Sequence, residues 1–111
     1  MFKNEPTLYE RLMGLFQEVN FIYNLSKRKR KSYAYKVVET RNYLTHFDHS
    51  KKEKILKSDE MFYSTKYFEM ILNFLILKEF GLEKEFIEKK ILEKQFLIDI
   101  IKNSLNFESK T

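Results

Sequence analysis

Only two glycines and one proline punctuate these 111 residues. A β fold of this length needs frequent turns, and Gly and Pro are among the residues that make them. Their scarcity leaves helices as the means of building a core. Hydrophobic residues make up 43% of the chain, which suits one compact domain and argues against disorder. No cysteine is present. Neither a disulfide framework nor a thiolate metal site is therefore available, and a reducing, cytoplasmic setting fits. The longest apolar run, Met70 to Leu77, contains Asn73 and is too short to span a bilayer, so no membrane partner is expected. The opening Met-Phe-Lys-Asn-Glu-Pro carries no apolar signal segment.

Helical periodicity runs along the whole chain. Thr7 and Glu10 form a capping-box pattern just after Pro6, and Leu8, Leu12, Leu15, Phe16, Val19 and Tyr23 follow at helical spacing. Gly14 within this helix costs about 1 kcal/mol relative to Ala, so close packing against another helix is expected there. Lys27 to Lys31 is a run of five cations that repel one another, which reads as a solvated connector or a frayed helix start. A second helix is predicted over 32–47, then a polar, basic connector over 48–57. A third is predicted over 58–80; its second half is apolar on nearly every face, so it should be central and buried. Gly81 and Leu82 read as its Schellman-type stop. A fourth helix is predicted over 83–103, with a frayed tail over 104–111. The sum is a single all-α domain, a helical bundle spanning 1–111.

Charge is unevenly spread. Residues 1–57 carry 13 Lys/Arg against 6 Asp/Glu, whereas residues 58–111 carry 8 against 10. The basic half points to an anionic partner, with nucleic acid the first choice. Lys27, Arg28, Lys29, Arg30 and Lys31, with Lys51 and Lys52 beyond the second helix, are the candidate RNA contacts. A solubilising surface is the plain alternative for such a run.

Chemistry concentrates in Arg41-Asn42-Tyr43-Leu44-Thr45-His46. At ~100° per residue, Tyr33, Val37, Thr40, Leu44 and Phe47 form one stripe that would face a core. Asn42 and His46, at i and i+4, fall on the opposite face with Tyr35, and Arg41 lies on the flank. Tyr33, Tyr35 and Tyr43 read as packing or as dimer surface. An imidazole titrates near neutrality and serves as general base or acid, while a guanidinium holds phosphate through paired N–H groups. The plain reading is two cations near a helix C-terminus, where the dipole favours them. His46-Phe47-Asp48-His49 is a poor metal site, because the chain has no further histidine. Neither metal nor cofactor is expected.

Val38-Glu39-Thr40-Arg41-Asn42-Tyr43-Leu44-Thr45-His46-Phe47-Asp48 resembles the HEPN domain. It is most similar to the HEPN domain at the C-terminus of ApeA-type anti-phage proteins. The Leu-Lys-Glu-Phe-Gly-Leu ending of the third helix fits the same group. That family's pattern is Arg, four to six residues, then His, often with a polar residue after the Arg. Arg41, Asn42 and His46 match it, and the likeness covers nearly the whole chain. The resemblance implies a four- to five-helix bundle and a metal-independent endoribonuclease, often a toxin or abortive-infection effector, acting as a homodimer. Arg41 and His46 would be catalytic, with Asn42 assisting. An antitoxin or further domains of a larger protein would be additional partners. The alternatives are a non-catalytic HEPN module that binds RNA or a nucleotide and dimerises, and a purely structural helical domain. Helix geometry supports a dimer by a separate route. Arg41 and His46 point about 140° apart, so one copy does not converge both on one phosphate.

Overall fold

The computed structural model describes residues 6–46 and 55–107. Among these, five helices and no strand are present: α1 (Leu8–Glu18), α2 (Lys27–His46), α3 (Ser58–Glu79), α4 (Lys84–Leu92) and α5 (Gln95–Ser104). The all-α expectation therefore holds. By contacts the chain divides into two compact units. The first contains α1 and α2 with residues 55–57. The second contains α3, α4 and α5, together with the short segment Phe21–Asn24.

In the first unit α1 packs against α2. The capping box forms as predicted. Glu10 N–H donates to Thr7 Oγ1 at 3.1 Å, and Thr7 N–H donates to Glu10 Oε1 at 2.9 Å. Leu12, Phe16 and Val19 are buried, and Phe16 meets the ring of Tyr33 with centroids 5.1 Å apart. α1 stops at Glu18, short of Tyr23. Asn20 then bridges the turn, donating from Nδ2 to Leu25 O at 3.1 Å and accepting from Leu25 N–H at 2.9 Å.

The expected close packing at Gly14 is not found. A Cβ built there meets nothing within 4 Å, and the residue is exposed. Gly14→Ala should therefore raise stability by about 0.5–1 kcal/mol, read as a higher melting temperature. A fall would reveal a neighbour that the site does not show.

The basic run is not a connector. α2 begins at Lys27, because Ser26 caps it: Lys29 N–H donates to Ser26 Oγ at 3.2 Å and Arg30 N–H to Ser26 O at 3.0 Å. One good cap is worth ~1 kcal/mol, enough to offset part of the crowding of cations.

In the second unit α3 packs against α4 and α5. Its Tyr67, Met70, Ile71 and Phe74 are buried, and the three aliphatic or Phe side chains contribute ~1.5–3 kcal/mol each. The expected burial of this helix holds for one face only, since its Leu72 and Ile76 are exposed. The predicted stop is present. Gly81 has φ 88°, its N–H donates to Lys78 O at 3.0 Å, and Leu82 N–H donates to Leu77 O at 3.3 Å.

The predicted fourth helix is two helices. Ile87 and Ile91 are buried, as are Ile98 and Ile101. A continuous helix would have to bury Lys94 or Gln95 in the slot between them. Breaking at Glu93–Lys94 leaves both exposed. The tail also differs from expectation up to residue 107. Leu105 and Phe107 are buried, and Phe107 meets the rings of Tyr23 and Tyr67. Residues 108–111 lie outside the described residues. No helix among the described residues is long and apolar enough to cross a membrane.

Candidate functional site

α2 carries the candidate chemistry. It has 20 residues against the 11 of α1, so the shorter helix cannot cover its whole length. Tyr33, Ala34, Glu39 and Thr40 are buried. Beyond Thr40 the helix emerges: Leu44, expected to face a core, is 53% exposed. Arg41, Thr45 and His46 are exposed, and Asn42 and Tyr43 are half-buried. Phe47, the last member of the predicted stripe, lies outside the described residues, as do Asp48, His49, Lys51 and Lys52.

Arg41 and Asn42 are joined directly, with Arg41 Nε donating to Asn42 Oδ1 at 3.2 Å. His46 sits in the last turn of α2, one turn beyond Asn42. A cation there suits the negative end of the helix dipole.

Two structural features of this region are not visible in the sequence. Thr40 ties the returning chain to the helix. Its hydroxyl donates to Lys36 O at 2.6 Å and accepts from Leu56 N–H at 2.8 Å. Residues 55–57 are thereby held one residue from Arg41. Glu39 is the one buried carboxylate among the described residues, at 7% exposure. At ~100° per residue it lies nearly opposite Arg41 on the helix. Nothing in the sequence separates a buried Glu from an exposed one in so polar a helix.

The five basic residues at the start of α2 are not equivalent. Lys27, Arg28 and Lys31 are exposed, whereas Lys29 and Arg30 are half-buried. Arg30 turns back to its own loop, donating from Nη1 to Leu25 O at 2.7 Å. No acidic residue stands in the first turn. Cations there face the positive end of the helix dipole, an arrangement that costs stability.

The sequence model of Apea-like HEPN domains matches residues 1–86. The chain belongs to the Apea-like HEPN family. The matched residues take in α1, α2 and α3 and the first residues of α4, so the HEPN segment from Arg41 to His46 lies within them. Most of α4 and all of α5 follow the matched residues. Neither the curated proteins nor the solved structures gave a match.

Proposed function

We infer that this HEPN domain is a metal-independent endoribonuclease that cleaves RNA at a composite site in a homodimer. A role as a toxin or anti-phage effector in the cytoplasm follows from the same reading. The observation that carries it is the exposure of Arg41 and His46 in the last turns of α2, beyond its buried residues Tyr33, Ala34, Glu39 and Thr40. Neither residue has a place in the core, and both stand on the strongly basic half of the chain.

The chemistry suits the set. One His46 imidazole takes the proton from a ribose 2′-hydroxyl as its oxygen bonds to the adjacent phosphorus. The bond from phosphorus to the 5′-oxygen breaks, and a second, protonated imidazole supplies the leaving oxygen with its proton. The products are a 2′,3′-cyclic phosphate and a 5′-hydroxyl. Arg41 stabilises the charge that develops on the phosphoryl oxygens. Asn42 is placed to hydrogen-bond a phosphate or to orient His46. Two imidazoles are needed and one copy has one at this site, so an isologous contact of α2 with its own copy completes it. Like charges oppose that contact, and bound phosphate relieves the repulsion. The apo dimer is therefore the weaker one.

Pure protein incubated with structured RNA in EDTA is expected to cut it, and light scattering is expected to show a dimer. Val38→Glu, near the motif face, should shift the mass toward monomer and lower cleavage with it. A protein that stays monomeric at every concentration, with RNA and without, overturns the composite site. Binding without cleavage would favour the non-catalytic module.

A further inference from the structure

Because α2 begins at Lys27 rather than after the basic run, the cations and the motif share one helical surface. At ~100° per residue, Lys27, Lys31, Tyr35, Arg28, Asn42 and His46 fall within a single arc about 100° wide. All are exposed except Asn42, which is half-buried. Lys29 and Arg30 lie outside this arc. At ~1.5 Å per residue the arc extends roughly 28 Å from Lys27 to His46. The exposed charge has one sign along its length, and Glu39, the only acid of α2, is buried just beyond the edge of the arc. By contrast, the shallow depression on α4, lined by Glu85, Glu88, Lys89, Leu92 and Glu93, is acidic and repels a polyanion.

We propose that single-stranded RNA lies lengthwise along this arc, its phosphates on Lys27, Arg28 and Lys31 and its scissile linkage at the Asn42–His46 end. The proposal rests on the ribonuclease reading for the position of the scissile linkage. A stacked strand advances ~3.4 Å per phosphate, so the arc holds roughly eight nucleotides. Tyr35, 43% exposed, stands between the cations and the motif and offers its ring face to a base. Lys27 is far enough from His46 that a dimer contact centred on the motif leaves the basic turns outside it. Each copy then extends one arm away from the shared cleft.

The test reads RNA affinity against salt, from about 50 to 200 mM, in His46→Ala protein so that substrate survives. The triple change Lys27→Gln, Arg28→Gln, Lys31→Gln is expected to lower the slope of log K against log salt by about two, at ~0.7 for each phosphate no longer neutralised. Lys29→Gln should leave it unchanged. Tyr35→Ala should weaken binding about tenfold without altering the slope, because stacking releases no counterion. An oligonucleotide of about four residues should bind more weakly than one of about eight, with a flatter slope. Loss of fold does not confuse the result, since neutralising cations at a helix N-terminus holds or raises the melting temperature. A slope that ignores the triple change, or that falls as much per residue for Lys29→Gln, overturns the proposal. The two ideas also fail separately. Strip-dependent binding by wild-type protein that cuts no RNA removes the ribonuclease and keeps the strip. Cleavage with a salt slope blind to the strip does the reverse.

Discussion

Alanine at His46 is expected to lower RNA cleavage by about 10²–10⁴-fold, the usual loss when a positioned acid or base is removed. Alanine at Arg41 should cost about 10²–10³-fold, as for other groups that stabilise transition-state charge. Both side chains are exposed, so neither change should move stability by more than about 0.5 kcal/mol. Loss of rate with an unshifted melting curve is thus the expected pair of results. A composite site adds a sharper one. Mixing Arg41→Ala protein with His46→Ala protein forms mixed dimers, each holding one intact Arg41 and one intact His46. Because the proposed site uses two imidazoles, these mixed dimers should stay as slow as the His46→Ala homodimer, and recovery on mixing would mean that one imidazole serves as both base and acid. A His46→Ala protein that cuts RNA at the wild-type rate would end the catalytic assignment.

Phe107→Ala should be among the most damaging single changes in the chain. Its ring is 3% exposed and lies 5.1 Å from that of Tyr23 and 5.7 Å from that of Tyr67, edge-on to both. Truncating a buried Phe to Ala costs ~3–5 kcal/mol, from lost transfer energy and the cavity left behind. Against a typical domain stability of ~5–15 kcal/mol that is a large share. A thermal melt should fall by more than about 10 °C. A change of under about 1 kcal/mol would mean that the end of the chain is held only loosely.

Much of the local chemistry was legible from residue type and spacing. Thr7 with Glu10 starts α1, and Gly81 with Leu82 ends α3, because caps are decided by a few neighbouring atoms. The same logic, carried further, would have found the fixed tail. Asn106 has φ 58°, and Phe107 N–H donates to Lys102 O at 2.8 Å, so Asn106-Phe107 ends α5 much as Gly81-Leu82 ends α3. Asn is the usual substitute for Gly at that position. Of the two readings of the basic run, the helix start holds and the connector does not, because Ser26, the cap just before it, works against the repulsion among the cations. The motif face was partly legible. Periodicity placed Asn42 and His46 away from Tyr33 and Thr40, the buried members of the predicted stripe. It misplaced Leu44, because periodicity reports which residues share a face and not how far the covering helix reaches. The split between α4 and α5 was hidden for a related reason. The apolar spacing continues through it, and only the polar pair Lys94-Gln95 in the core slot betrays the break.

The contact made by Tyr23 also sets an order of events during synthesis. Its hydroxyl donates to Ile98 O at 3.0 Å and its ring meets Phe107, both contributed by the end of the chain. A ribosome makes them roughly eighty residues after Tyr23, a delay of ~4–16 s at 5–20 residues per second. Throughout that interval Phe21–Asn24 stands without these partners, although every residue of the candidate site is made within the first third of it. α5 and the residues just after it, made after α1 to α4, therefore complete the aromatic cluster around Tyr23, and a chain that stops before them carries the motif without that cluster.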